Sequence, residues 1–245
     1  GCTPDRQFAT NFQFPHLLGE YVWTGFDYLG EPTPFNSDNT NLLNFRTDPS
    51  KRAELEKQLA ELERTQPPSR SSYFGIVDLA GFPKDRYYLY QSHWRPDLPM
   101  AHILPHWNWE GREGQIIPVH VYTSGTEAEL FVNGKSYGRK VEETGKDFRL
   151  VWDSVVYQPG CVKVVAYKDG KQWAEDEVQT TGKAQKIRLS ADRSSVAGSE
   201  DELAFVTVTI VDGSGRKVPT ACLPLKVEVT GCGELVATDN GDPTS

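Results

Sequence analysis

Glu127-Ala128-Glu129-Leu130-Phe131-Val132-Asn133-Gly134-Lys135-Ser136 decides the reading of this chain. Ala128, Leu130 and Val132 alternate with Glu127, Glu129 and Phe131, which is the period of a half-buried strand. Asn133-Gly134 then supplies a two-residue hairpin turn. The same texture extends outward on both sides. Ile116 to Tyr122 reads as a preceding strand. Leu150 to Trp152, Val162 to Tyr167 after Cys161, and Trp173 to Val178 continue the pattern. Lys168-Asp169-Gly170-Lys171 is a second tight turn. Turn signals at this spacing predict an all-β sandwich over 105–182. A boundary falls at Thr180-Thr181-Gly182-Lys183. Beyond it Lys186 to Leu189, Leu203 to Val211 and Lys226 to Val229 predict strands of a second sandwich over 183–245, shorter than the ~100 residues of an immunoglobulin-like domain. An incomplete sandwich leaves unpaired strand edges, which favours a homo-oligomer.

Upstream of residue 105 the pattern differs. Glu20 to Tyr28 is rich in β-formers and predicts a strand. A Gly-, Pro- and Asn-rich stretch follows it. Residues 48–65 read as a helix, with Asp48 at the cap, Pro49 in the first turn, and Ala53, Leu55, Leu59 and Leu62 near helical spacing. Lys84 to Trp94 reads as another helix with an aromatic face. One strand and its helices cannot bury a core of their own, so residues 1–104 are expected to belong to a larger layered unit.

Composition narrows the function. A formal charge of -8 and a pI near 5.2 repel phosphate backbones, so nucleic acid is not an expected partner. No apolar run reaches the roughly 18–20 residues that span a bilayer, so no membrane partner is expected either. Gly1-Cys2-Thr3-Pro4 has no apolar leader core. The four cysteines, Cys2, Cys161, Cys222 and Cys232, form no C-x-x-C motif. A Cys222–Cys232 disulfide and two buried reduced thiols both fit the spacing. The five histidines are scattered without ligand spacing, and neither a nucleophile elbow nor a phosphate loop occurs. No cofactor or metal is expected.

Trp23, Asp27 and Tyr28 carry the chemistry the sequence offers. At the functional end of an α/β-barrel strand, a Trp face suits the C–H side of a sugar ring and a carboxylate suits its hydroxyls. A core Trp and a loop-capping Asp fit the same residues. Glycoside hydrolysis needs two flanking carboxylates. Glu20, Asp27, Glu31 and Asp78 are the local candidates, and with one barrel-type strand in the chain none is taken as catalytic.

Gly19-Glu20-Tyr21-Val22-Trp23-Thr24-Gly25-Phe26-Asp27-Tyr28-Leu29-Gly30-Glu31-Pro32-Thr33-Pro34 resembles the last barrel strand of β-galactosidases of glycoside hydrolase family 2. Ser71 to Asp78 with Gly81-Phe82-Pro83-Lys84-Asp85, Tyr90 to Trp94, His106 to Glu110, Leu130 to Ser136 and Asn240 to Ser245 resemble later segments of that family. The resemblance covers the chain from about residue 17. It implies a mainly β fold: immunoglobulin-like β-sandwiches preceded by an incomplete (α/β)8-barrel remnant over 1–104. It implies a retaining enzyme acting on terminal β-galactosides, with a periplasmic or secreted location. In the family the acid/base Glu follows an Asn and the nucleophile Glu ends the strand before the last one; this sequence has no Asn-Glu dipeptide, and its first 18 residues are too short to hold the upstream strands. Both catalytic Glu positions are therefore expected to be absent, and the isolated chain inactive. Trp23 matches the family's Trp at the floor of the galactose subsite, and Asp27 a neighbouring acidic position. The remaining alternative is a non-catalytic carbohydrate-binding or structural module.

Overall fold

A computed structural model describes residues 3–29, 71–143, 145–146, 148–198 and 202–242. The helix expected over 48–65, and Glu31, lie outside them. The chain divides into two compact units, Gly1–Gln91 with Glu228–Ser245, and Ser92–Val227.

The second unit holds the sandwich. Its strands are β1 (Ala101–Leu104), β2 (Val119–Thr123), β3 (Glu127–Val132), β4 (Lys135–Val141), β5 (Leu150–Trp152), β6 (Cys161–Lys168) and β7 (Lys171–Gln179). They form a three-stranded sheet, β1-β2-β5, and a four-stranded sheet, β4-β3-β6-β7. All pairings are antiparallel. Alternation decides which side chains go in. Val119, Val121, Leu150 and Trp152 from one sheet meet Ala128, Leu130, Val132, Val162, Val164 and Ala166 from the other. Trp107 and Tyr157 complete this core, packed edge to face at 5.2 Å. Burying such side chains contributes roughly 1.5–3 kcal/mol each before entropy is subtracted.

Both hairpin turns form as the sequence predicts. Asn133 and Gly134 have φ of 49° and 80°, and Asp169 and Gly170 have φ of 52° and 74°. Two successive positive φ values match the right-handed twist of the flanking strands. The sandwich begins at Ala101. β2 begins at Val119, later than the Ile116 expected, because Pro118 has no N–H to give to a ladder. Ile116 keeps only an isolated bridge to Val156.

The two remaining strands, β8 (Lys186–Ala191) and β9 (Val206–Val211), form a two-stranded antiparallel sheet. The strand expected at Lys226 to Val229 is not formed; Leu225, Val227 and Val229 are exposed and have no ladder partner among the described residues. Cys222 and Cys232 are both exposed and free, so neither the disulfide nor the buried-thiol reading holds.

In the first unit, helix α1 (Pro4–Gln13) was not legible in the sequence. It starts on Pro4, whose fixed φ suits a first helical residue. It buries Phe8 edge-on against Tyr90 at 5.5 Å. Tyr90 sits on helix α2 (Asp85–Trp94), which begins one residue after the expected Lys84. The strand expected at Glu20 to Tyr28 is reduced to two isolated bridges, parallel Phe26↔Val77 and antiparallel Leu29↔Ser71. No longer ladder pairs with it among the described residues.

Candidate functional site

The segments 23–29 and 71–84 lie side by side. Ile76 N–H donates to Thr24 O at 3.0 Å, Val77 N–H to Gly25 O at 3.0 Å, and Asp27 N–H to Val77 O at 2.9 Å. Gly75 makes this approach feasible. A Cβ there would stand 2.2 Å from Asp27 N and 2.4 Å from Phe26 C. Only glycine leaves room for that backbone.

Asp27 is buried, with 4% of its surface exposed, so its carboxylate must be matched inside the protein. It is. Oδ1 accepts from Gly75 N–H at 2.7 Å and from Ser72 Oγ at 3.2 Å. Oδ2 pairs with the Lys84 ammonium. Lys84 also donates to Tyr73 O at 3.1 Å and stands 5.0 Å from the centre of the Tyr73 ring. Ser72 Oγ receives Tyr28 N–H at 3.1 Å, and Ser72 N–H donates to Tyr28 O at 2.8 Å.

Trp23 is placed differently. Its side chain is 71% exposed. The indole Nε1–H donates to the Tyr28 hydroxyl at 3.1 Å, and the two rings stand at 88° with centroids 6.3 Å apart. Tyr28 in turn packs edge-on against Phe74 at 5.8 Å. The Trp23–Thr24 peptide is cis. The arrangement presents an aromatic face to solvent from a hydrogen-bonded loop. A sugar ring can stack its C–H face on such a surface.

The structure thus brings Trp23, Tyr28 and Asp27 into one segment, with Trp23 outward and Asp27 inward. Asp78 is elsewhere engaged: its Oδ1 accepts from Phe82 N–H at 2.8 Å and caps the turn before α2. Glu20 lies near Tyr90, whose phenol is pushed above its usual value by burial first and by the Glu20 charge next. The histidines are spread over ring and backbone contacts. His93 meets Phe148 O at 3.0 Å, His102 stacks on Tyr122, and His106 stacks on Trp109 at 4.7 Å. Among the described residues no group of three or more His, Cys, Asp or Glu could hold a metal ion.

Lys84, Ser72 and Gly75 were missed as parts of this site. Pro83-Lys84-Asp85 stood out in the sequence as a motif, but nothing local tied Lys84 to a residue 57 positions away.

The signature described as "Glycoside hydrolase family 2 C-terminal domain 5" matches residues 187–245. A "Domain of unknown function (DUF4982)" matches residues 114–174. The chain is 43% identical over 230 residues to β-galactosidase BoGH2A of Bacteroides ovatus, covering 94% of this chain and 23% of that protein. It is 30% identical over 154 residues to a β-glucuronidase of Formosa agariphila, covering 60% of this chain and 15% of that one. The crystal structure of a β-glycosidase from Bacteroides vulgatus superimposes with a TM-score of 0.69 at 34% identity, covering 89% of this chain and 23% of that chain. The chain therefore spans less than a quarter of the length of each of these relatives. It belongs to glycoside hydrolase family 2, of which it is a C-terminal part.

Proposed function

We propose that the whole protein carrying this segment is a retaining hydrolase of terminal β-galactosides, and that this chain supplies one wall of its sugar site. The 43% identity to a β-galactosidase along 94% of the chain carries this reading. The outward Trp23 face supports it chemically. In this reading Trp23 stacks beneath the galactose ring. Asp27 serves the sugar site from inside the loop, because its carboxylate oxygens are already taken up by Lys84, Gly75 and Ser72. No Asn-Glu dipeptide occurs in the sequence. The catalytic carboxylate pair is therefore assigned to residues outside this chain, and the isolated chain is inactive.

A bracing role for residues 105–245 is favoured by where the sandwich puts its tryptophans. Trp107 and Trp152 are 1% and 4% exposed and belong to the core. Trp109 and Trp173 point their indole N–H groups at His106 O and Ser124 Oγ, at 2.8 Å each. These rings pack the sandwich instead of offering an aromatic platform to a glycan.

The test is hydrolysis of chromogenic β-galactosides, β-glucuronides and β-mannosides by the whole enzyme, by this chain and by the whole Trp23→Ala enzyme. Turnover of the galactoside alone, lost in Trp23→Ala and absent from the isolated chain, is the expected result. Preferential turnover of the glucuronide would overturn the substrate assignment. Turnover by the isolated chain would overturn the placement of the carboxylate pair.

A further inference from the structure

Trp23 is exposed, yet an exposed indole on a loop is useful to a ligand only if something holds it still. Immobilising a side chain at the moment of binding costs affinity, so a ring fixed beforehand binds more tightly. Among the described residues the loop around Trp23 has no strand ladder to stiffen it, only the two isolated bridges. Backbone hydrogen bonds of Thr24, Gly25, Asp27 and Tyr28 with residues 72–77 hold the main chain, so what remains for side chains is the orientation of the indole.

We infer that Lys84, Asp27, Ser72 and Tyr28 form a relay that sets the orientation of Trp23, with Lys84 as its anchor and Tyr28 as the group that touches the indole. This rests on the sugar-contacting reading of Trp23.

The relay is continuous. Lys84, carried just ahead of α2, pairs with Asp27 Oδ2. The other Asp27 oxygen receives Ser72 Oγ at 3.2 Å and Gly75 N–H at 2.7 Å. Ser72 Oγ accepts the Tyr28 N–H at 3.1 Å, which fixes the Tyr28 backbone. Phe74, on the same returning segment, packs the Tyr28 ring at 5.8 Å. The Tyr28 hydroxyl then accepts the Trp23 indole N–H at 3.1 Å. Every contact but this last one joins residues 23–28 to residues 72–84.

The burial pattern supports a positioning role. The Asp27 side chain is 1% exposed and Lys84 27%. An ion pair so placed must offset the desolvation of both groups. Two apolar side chains would hold two loops together without that cost. What the pair adds is direction: it fixes the rotation of the Asp27 carboxylate, and so the places of Ser72 and Tyr28. Tyr28 does more than a Phe would, because only its hydroxyl can accept the indole N–H. A Trp23 ring that rotates about its side-chain bonds would still be exposed, but its face would no longer be set for a sugar ring. None of the four residues is catalytic.

The experiment compares whole-enzyme variants Tyr28→Phe, Lys84→Met, Lys84→Arg and Trp23→Ala, by steady-state kinetics on a nitrophenyl β-galactoside and by crystal structures of the first two. Tyr28→Phe keeps the ring and removes only the acceptor. We expect its KM to rise roughly 3- to 10-fold with kcat nearly unchanged, the value of one hydrogen bond expressed as binding. Lys84→Met gives the same KM effect or a larger one, Lys84→Arg restores most of it, and in both crystal structures the Trp23 indole departs from its place beside Tyr28. A wild-type KM with an unmoved indole in Tyr28→Phe overturns the relay, as does failure of Lys84→Arg to recover over Lys84→Met. If Trp23→Ala itself binds the galactoside as the wild type does, the sugar-contacting reading fails. The crystal structures then still decide whether the relay positions the indole.

Discussion

The side-chain amide of Asn133 occupies the space that a Cβ on Gly160 would need. Such an atom would lie 1.9 Å from Asn133 Oδ1, and Gly160 already has a φ of 143°. The amide is there to tie the β3–β4 turn to the start of β6. Its Oδ1 accepts Cys161 N–H at 2.8 Å, and its Nδ2 donates to Pro159 O at 3.2 Å. Asn133 thus serves twice, tolerating a positive φ in the turn and satisfying backbone groups across the sheet.

Gly160→Ala should therefore destabilise the sandwich by about 2–4 kcal/mol, from backbone strain and the displaced amide together. Asn133→Gly keeps the turn geometry and loses two hydrogen bonds, so it should cost about 1–2 kcal/mol. Urea unfolding followed by tryptophan fluorescence measures both. A Gly160→Ala midpoint equal to the wild type would show that the amide moves aside freely.

Gly75→Ala tests the close approach beneath the proposed sugar site. Its φ is not in the left-handed region, so the effect is one of space alone. The atoms in the way, at 2.2–2.7 Å, are all backbone. The two segments must part, and Asp27 loses its Gly75 partner. In the whole enzyme we expect kcat/KM for the galactoside to fall on the order of 10- to 100-fold, because small displacements of positioning groups are costly. Unchanged kinetics would mean that the loop is not part of the site.

Much of the sandwich was legible because its signals are local. Ala128, Leu130 and Val132 announce a strand by alternation, and Asn133-Gly134 and Asp169-Gly170 announce their turns by chemistry. All three alternating positions are buried and both turns form. The site was only half legible. An aromatic at Trp23 could be seen, and its exposure agrees with a surface role. Asp27 reads in the sequence as one more carboxylate beside a sugar. Its burial depends on Lys84 and Ser72, which come from a segment more than forty positions on. No spacing rule reaches that far. Leu225, Val227 and Val229 show the reverse case. Their alternation is a strand pattern, but a strand needs a neighbour to bond to, and none of the described residues pairs with them.

Cysteine labelling separates the three described thiols. Burial first, then the hydrogen bond and charge of Glu177, push the Cys161 thiol up to about 11. At pH 8 only about a thousandth of it is thiolate, and the thiolate is the form that reacts. Cys222 and Cys232 are exposed. Iodoacetamide at pH 8 should alkylate those two first and leave Cys161 largely unmodified in the native chain. The Cys161 rate should climb about tenfold per pH unit towards 11. Peptide mass spectrometry reads each site, and early modification of Cys161 would contradict its assigned environment.

Asp212 gives the β8–β9 module a dependence on pH whose sign follows from its contacts. Its carboxylate accepts Gly182 N–H at 3.0 Å, and Arg216 N–H and Ser214 N–H at 2.9 Å each. These donors, Gly182 foremost, hold the group below the ordinary carboxylate range, and the nearby Arg216 charge adds to them. A carboxyl whose folded pKa is depressed binds its proton more readily in the unfolded chain. The stability it contributes is then fully present above the unfolded value of about 4, and is lost as pH falls through the lower, folded value. Asp212→Asn lacks this charge at every pH. The wild type should exceed the variant in urea midpoint at pH 7, and the gap should begin to close below about pH 4. A gap that stays constant from pH 7 to pH 2 would mean that Asp212 acts through shape alone. A gap that widens on acidification would reverse the assigned direction of its shift.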